Sequence, residues 1–398
     1  MPRLAFAVLA SVAALLTPDL SAAAAEPAIV RIAYVAQQVD RPPPLSLLEP
    51  ILTDAGVQGA RLGIADNNTT GRFTKQSFEL EEVFVPQDGD PGAAFKELLA
   101  KGYDIFVVDL PAAALLAVAD LPETTGALIF NAGAKDDALR NEKCRPNVLH
   151  TAPSRAMLAD ALAQYLIWKK WRRWFLFRGV NEPDRKFAAA VRRAAKRFGA
   201  KIVEEREYAF KAGSRRTDTG HVLVQKQIPV LTQGVDYDVL VVADESEAFG
   251  EYLIYRTWEP KVVAGTHGLV PTDWSRVHEQ WGGTQLQRRF GKIAHRWMTP
   301  RDYAAWVAVR SVGEAATRTR SSDVKDIGAY IRSDKFLLAA FKGKGLTFRP
   351  WNGQLRQPIL LAGPRTLVSV SPQQGFLHQF NEMDTLGYDR PESKCKLD

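Results

Sequence analysis

Short apolar strand patterns alternate with helical patterns along most of the chain, and this alternation constrains the fold more than any other feature. Strand patterns at 28–36, 103–110 and 126–134 are separated by helical segments. Such an alternation predicts a parallel sheet that is covered by helices on both faces. The expected fold class is therefore α/β.

The alternation restarts after residue 151, which predicts a second sheet. Strand patterns at 174–178, 237–245 and 261–268 again enclose helical stretches. Two such series predict two lobes, each a parallel sheet flanked by helices, joined by several hinge crossings. The predicted divisions are lobe 1 (first part, 26–151), lobe 2 (first part, 152–270), a return to lobe 1 (271–335), and a C-terminal hairpin and tail of lobe 2 (336–398).

Residues 1–25 have the pattern of a secretory signal peptide. A cation, Arg3, precedes an apolar run from Leu4 to Leu16, and a small-residue tail follows with Ala23 and Ala25 at A-x-A spacing. The run is shorter than the roughly 20 residues that a membrane-spanning helix needs. An exported, periplasmic protein is expected, and a buried amino-terminal helix is the alternative.

The chain contains two cysteines, Cys144 and Cys395. Export would place both in an oxidising compartment, where a disulfide between them is expected and two unpaired thiols are the alternative. The sequence has neither a Cys-x-x-Cys pair nor two histidines at helical spacing, so it gives no support to a zinc or thiol redox site. No metal is predicted.

The formal net charge of +7 suits an anionic ligand without proving one. The densest basic stretch, residues 168–179, interleaves tryptophans with lysines and arginines, as some nucleic-acid-binding surfaces do. The same residues also fit the end of a helix followed by a buried strand, since cations favour helix C-termini. The second interpretation is preferred, and no nucleic-acid partner is expected.

Common catalytic signatures are absent from the sequence, including G-x-S-x-G, the phosphate-binding loop, G-x-G-x-x-G after the first strand, and H-E-x-x-H. Asp244 and Glu245 could form an acid/base pair, but adjacent carboxylates after a strand more often cap the next helix. The six histidines are scattered; His267, at a strand end, is the one expected to face a ligand, and a structural or solvent-facing role is its alternative. The sequence therefore predicts a binding protein and not an enzyme.

The segment "GARLGIADNNTTGRF", residues 59–73, reads as a helix in its first half and as polar turn residues in its second. The prediction is that residues 67–71 end the helix, with Gly71 as the left-handed cap residue. Ligands of open α/β sheets bind at the carboxyl ends of the strands. We therefore expect a ligand cleft where the strand ends of the two lobes meet.

The segment 59–73 resembles the first helix of type I periplasmic solute-binding proteins of ABC transporters, the branched-chain amino acid binding family. "YDIFVVDLPAAALLAVADL", "DYAAWVAVRSVGEAA" and "GLTFRPWNGQLRQPILLA" resemble later segments of that family. The resemblance implies a monomer of two lobes that close around a small ligand by hinge motion, with transporter membrane subunits as possible partners. The first cleft loop, "QQVDRPPPLS", and "NAGAKDD" depart from the family's amino acid site.

"QQVDRPPP" and "FLHQFNEMDTLGYDRPESKC" resemble a subgroup found with pyrroloquinoline quinone (PQQ)-dependent alcohol dehydrogenase systems. This resemblance implies PQQ as the bound ligand, for uptake or delivery, with no catalytic cofactor. PQQ carries three carboxylates on a flat ring system, which calls for cations and aromatic planes. The alternatives are another small carboxylate or alcohol-derived metabolite, or a sensory or interaction protein that contacts the dehydrogenase.

The predicted ligand-binding residues lie at strand ends and in the loops that follow them. Cations would pair with carboxylates, polar groups would hydrogen-bond, and a ring would pack on the ligand. The cations are Arg41, Lys143 (or Lys135) and Arg178; the polar residues are Asp109, Asn131, Asn181, Glu245 and Thr266; the rings are Trp274 or His267.

Overall fold

The computed structural model describes residues 28–39, 51–210 and 221–397. The predicted signal peptide and Arg41 lie outside these residues. The first elements are β1 (Ala28–Gln37), α1 (Val57–Thr74), β2 (Gln76–Val85), α2 (Pro91–Ala100), β3 (Ile105–Asp109), α3 (Ala112–Ala119), β4 (Leu128–Asn131) and β5 (Val148–His150).

The second series comprises α4 (Arg155–Trp168), β6 (Arg173–Gly179), α5 (Glu182–Phe198), β7 (Lys201–Tyr208), α6 (His221–Leu231), β8 (Val239–Ala243), α7 (Gly250–Arg256), β9 (Val262–Gly265) and β10 (Val270–Thr272). The remaining elements are α8 (Gly283–Ala294), α9 (Pro300–Thr319), α10 (Val324–Arg332), β11 (Leu338–Ala339), β12 (Gly345–Phe348), β13 (Leu355–Arg356), β14 (Ile359–Ala362) and β15 (Leu367–Ser371).

Two parallel sheets form the centres of the two lobes, which confirms the predicted fold class. The order is β2-β1-β3-β4-β5 in lobe 1 and β7-β6-β8-β9 in lobe 2. Alternate side chains of each strand enter different cores. In β6, for example, Trp174 and Leu176 pack towards α4 and α5, whereas Phe175 and Phe177 join the cluster on the α6 and α7 side. Each sheet is thus buried on both faces.

Helix α1 continues through the segment that was predicted to end it. It runs to Thr74, and Lys75, not Gly71, is the left-handed cap residue with φ of 56°. The prediction failed because the polar residues bury against α9: Asn67 is 1% exposed and its Nδ2 donates to the Val309 carbonyl at 2.9 Å. A Cβ on Gly59 would lie 1.8 Å from a backbone oxygen of α9, so the small residues of α1 permit the close packing.

Strands β11 to β13 pack differently from the predicted division at 335/336. Leu338, Leu346, Phe348 and Leu355 belong to the same buried cluster as α1 and α9, and they therefore lie in lobe 1. The predicted hairpin at 346–372 is divided between the lobes. β12 pairs with β13 in lobe 1, while β14 pairs with β10 and β15 beside lobe 2.

The C-terminal tail is attached to both lobes, and the predicted disulfide is part of that attachment. Cys144 of lobe 1 is bonded to Cys395, at a sequence separation of 251. On the lobe 2 side, the backbone N–H of Gly387 donates to the buried Asp160 carboxylate at 2.8 Å. Among the helices in these described ranges, none has the length and apolar character needed to cross a bilayer.

Candidate functional site

The carboxyl ends of the two sheets face each other, because loops that follow lobe 1 strands contact residues of lobe 2. The loop after β4 carries Asp136, whose Oδ1 lies 2.6 Å from the Lys186 Nζ of α5. The Asp136 Oδ2 lies 3.3 Å from the Nη1 of Arg155, the first residue of α4. One carboxylate of lobe 1 therefore bridges two cations of lobe 2.

Arg155 has a second carboxylate partner within its own lobe. Its Nε and Nη2 lie 2.8 and 2.7 Å from the Glu245 Oε2 in the loop after β8. Burial alone lowers the pKa of Arg155, but the neighbouring Glu245 and Asp136 outweigh burial and hold it above its usual value. The side chains of Asp136, Arg155 and Glu245 are 17%, 10% and 14% exposed, whereas Lys186 is 42% exposed, so this cluster (Asp136, Arg155, Lys186 and Glu245) combines three mainly buried charges with one that reaches solvent.

Opposing effects also act on Asp136. Burial raises the pKa of this carboxyl, but the Lys186 hydrogen bond and the Arg155 charge together bring it below its ordinary value. Asp136 is therefore ionised at neutral pH. The adjacent Lys135 carbonyl accepts from the Arg155 N–H at 3.0 Å, which holds this loop against the start of α4.

The loop that carries Asp136 is fixed from within by the predicted site residue Asn131. Its Oδ1 accepts from the N–H of Gly133 and Ala134, and its Nδ2 donates to the Ala134 carbonyl and contacts His150 Nδ1 at 3.0 Å. Both polar atoms of the Asn131 side chain thus bond within lobe 1.

Arg140 also holds the loop that carries Asp136 in place. It is 2% exposed and donates to the carbonyls of Ala134 and Ala152 and to the Gln354 Oε1, each at 2.8 Å. Burial lowers its pKa to about 10. This arrangement supports the position of the Asp136 carboxylate because the backbone on its amino-terminal side is held at several points.

The loops of lobe 2 use their acidic residues mainly as helix caps. Asn181 and Asp184 form a capping box at the start of α5. The Asp244 carboxylate accepts from three backbone N–H groups at 248–250, which confirms the capping interpretation for this residue. Thr266 Oγ1 accepts from the Asp244 N–H at 3.0 Å and lies 3.0 Å from His267 Nδ1. Asn181, Thr266 and His267 therefore border the same loops as Glu245.

The other predicted residues are more dispersed. Asp109 ends β3 and pairs with Arg301 at 2.8 Å. Arg178 pairs with two glutamates of β7, at 2.8 and 2.6 Å. Lys143 is exposed beside the disulfide, and Trp274 is 1% exposed and stacked on Tyr303 in the lobe 1 core. Their roles in ligand binding stay predictions.

Sequence reasoning missed Asp136, Arg155 and Lys186 as site residues. Asp136 lies in "NAGAKDD", which was noted only as a departure from the family pattern. Arg155 follows the N-cap Ser154. Its position shortly after the predicted division between the lobes at 151/152 is the sequence feature that could have identified it. Lys186 lies inside a helix that is rich in cations, and nothing in the sequence distinguishes it.

Elsewhere, a groove of about 540 Å³ lies between α10 and the residues before β4 and β5, at the opposite edge of the lobe 1 sheet from the charged cluster. Within residues 28–39, 51–210 and 221–397, no cluster of three or more histidine, cysteine, aspartate or glutamate side chains has the arrangement of a metal site.

Comparisons with known proteins agree with this architecture. Residues 51–245 match the family model described as periplasmic binding protein. A branched-chain amino acid ABC transporter periplasmic ligand-binding protein from Burkholderia xenovorans is 14% identical with a TM-score of 0.69, covering 92% of this chain and 99% of that one. No curated protein sequence matches the chain significantly.

Two other solved structures are similar over the same extent. A periplasmic binding protein from Burkholderia mallei is 16% identical with a TM-score of 0.65, covering 92% of this chain and 98% of that one. A solute-binding protein from R. palustris in complex with benzoate is 11% identical with a TM-score of 0.64, covering 92% and 99%. Residues 51–245 therefore match the model of the periplasmic binding protein family, and the chain has the two-lobed α/β fold of these solved periplasmic binding proteins.

Proposed function

We propose that this protein is a periplasmic solute-binding protein that captures a small carboxylate-bearing solute between its lobes and acts without catalysis. The observation that carries the proposal is the cluster of Asp136, Arg155, Lys186 and Glu245 where the strand ends of the two lobes meet. Ligands of such folds bind at this edge of the sheets. The family match of residues 51–245 supports the periplasmic location and the binding role.

The chemistry of the cluster favours an anion that carries a planar carboxylate. The Nη1 of Arg155 has no hydrogen-bond acceptor among the described residues and can donate to a carboxylate, and Lys186 adds a mobile point charge. Charge-assisted hydrogen bonds contribute roughly 1.5 to 3 kcal/mol each. Two of them together with apolar contact are enough for micromolar affinity, about −8 kcal/mol, when the lobes close around the solute.

PQQ is the specific solute that we propose to test first, in an uptake or delivery role beside an alcohol dehydrogenase. The segments "QQVDRPPP" and "FLHQFNEMDTLGYDRPESKC" support it by resemblance, and its three carboxylates suit the cations of the cluster. The main competing solutes are other carboxylates. One solved relative of this fold is described as a complex with benzoate and another as a complex with leucine.

A thermal-shift screen followed by calorimetry tests the proposal. PQQ, benzoate and leucine are each added to the purified protein, with uncharged benzamide as the matched control. A solute at 100 times its dissociation constant adds about 2.7 kcal/mol of stability, so a carboxylate ligand should raise the melting temperature by several degrees. If none of the carboxylates shifts the melting temperature or releases heat, the proposed carboxylate capture is wrong.

The partner is a separate part of the proposal. An ABC transporter membrane subunit would recognise the closed form, whereas a sensory or delivery role would require contact with the dehydrogenase. Co-purification with and without PQQ distinguishes these roles: transport predicts a complex that depends on ligand, and direct interaction predicts one that forms without it.

A further inference from the structure

The Asp136 carboxylate extends from lobe 1 to contact side chains of lobe 2. Its two oxygens are divided between two cations of the opposite lobe: Oδ1 lies 2.6 Å from Lys186, and Oδ2 lies 3.3 Å from Arg155. Guanidinium and ammonium groups both form strong charge-assisted hydrogen bonds with carboxylates. Here the carboxylate belongs to the protein itself.

Arg155 is only partly satisfied by this arrangement. Its Nε and Nη2 are close to Glu245, but Nη1 is buried and makes no hydrogen bond among the described residues. The Asp136 Oδ2 provides charge at 3.3 Å without hydrogen-bond geometry. A buried donor without an acceptor is costly, so a carboxylate with better geometry has free energy to gain at this atom.

The balance of charges in the cluster indicates which carboxylate side chain a bound anion would displace. Lys186 has Asp136 and Glu182 as partners, and Arg155 has Asp136 and Glu245. An extra anion would meet three carboxylates around two cations. Glu245 contacts Arg155 within the same lobe through two nitrogens, whereas Asp136 comes from the opposite lobe and makes the weaker contact with Arg155.

We propose that Asp136 is an internal stand-in for the solute, and that a carboxylate group of the solute displaces it and binds between Arg155 Nη1 and Lys186 Nζ. This inference rests on the proposed function, since it requires a carboxylate solute. It assigns Arg155 and Lys186 as the residues that select the ligand class. It also assigns Asp136 as a competitor that lowers affinity and keeps weak anions out of the cleft.

Calorimetry with benzoate as the probe tests this assignment. Asp136→Asn keeps the size of the side chain and removes the competing charge, and we expect benzoate to bind about tenfold more tightly, or about 1.4 kcal/mol. Lys186→Met should weaken benzoate binding several-fold. The matched control is Glu182→Gln, which removes the other, 74% exposed partner of Lys186 and should change benzoate affinity less than twofold.

Benzamide distinguishes a stand-in from a simple latch between the lobes. A latch that only held the lobes closed would change the affinities for benzamide and benzoate by the same factor in Asp136→Asn, and that result overturns the inference. Weaker benzoate binding in Asp136→Asn overturns it too, while wild-type binding leaves the proposed function standing. If wild type binds no carboxylate, the proposed function fails. In that case the stand-in fails too, because it requires a carboxylate solute that displaces Asp136 in the wild type.

Discussion

Removal of the Cys144–Cys395 disulfide should destabilise the protein through the unfolded state. The bridge closes a loop with a sequence separation of 251. For a loop of that length the chain-entropy model gives about 5 kcal/mol, and residual structure in denatured chains reduces the measured value. We expect the double variant Cys144→Ser, Cys395→Ser to lose about 3 to 5 kcal/mol of unfolding free energy.

The folded state should change little, because other contacts hold the tail. Asp160 accepts from the Gly387 N–H, and Arg349 donates to the Asp384 carboxylate and to two tail carbonyls. Guanidinium unfolding followed by circular dichroism measures the effect. The slope of free energy against denaturant should rise in the variant, since an uncrosslinked chain exposes more surface.

The refuting result is an unchanged midpoint and slope. That outcome would mean that the disulfide does not restrict the unfolded chain in the way that the chain-entropy model assumes. Reduction of wild-type protein with dithiothreitol should reproduce the variant, and dithiothreitol should have no effect on the double serine protein. If the variant differed from wild type only in faster proteolysis of its tail, with an unchanged midpoint of guanidinium unfolding, that result would also contradict the reasoning.

The remaining predictions concern packing and titration. Gly59→Val should lower the free energy of unfolding by more than about 3 kcal/mol, since a Cβ there would lie 1.8 Å from an α9 backbone oxygen. Gly126 has open space around it, so Gly126→Ala should lower it by less than about 1 kcal/mol, and thermal melts compare the two variants. Trp274→Ala should cost about 3 to 5 kcal/mol and leave ligand affinity per folded molecule unchanged; a specific loss of affinity in calorimetry would place its ring in the site. Burial raises the pKa of Asp273 to about 6 and lowers that of Lys342 to about 7. The combined contribution of the two groups to stability should therefore fall between about pH 4 and 6 and recover above pH 7. In denaturant titrations at several pH values, the double variant Asp273→Asn, Lys342→Met should show a flatter dependence of stability on pH.

The arrangement of apolar residues along the chain was sufficient to predict the two sheets, because parallel strands that are buried on both faces are continuous apolar runs in the sequence. β3 and β8 are buried over nearly their whole length, and both were predicted from sequence. The end of α1 was not predictable in the same way. Asn67 has the composition of a turn residue, but its amide is satisfied by a backbone carbonyl of α9, 242 residues later in the chain.

The candidate site was less predictable than the fold for a related reason. Strand-end positions were enough to select loops near the junction of the lobes, where Asn131, Glu245 and Thr266 lie; their roles in binding stay predictions. The bridge, however, depends on which side chains meet across two lobes. Asp136 and Lys186 are 50 residues apart in the sequence, and only their folded positions pair them.

The crossings between the lobes indicate where lobe motion is constrained. Gln357 Nε2 donates to the Thr151 carbonyl at 2.9 Å, and Lys342 Nζ donates to the Pro358 carbonyl at 2.9 Å, so neighbouring crossings are bound to each other through backbone groups. In a rotation of the lobes about these crossings we expect such bonds to be kept, because they would lie close to the axis. Asp136 lies in the loop after β4 and Lys186 in α5, so they belong to different lobes and we expect the same rotation to separate them. We therefore expect opening of the cleft to break the Asp136–Lys186 contact before the bonds at the crossings, which would make Lys186 available to an incoming carboxylate.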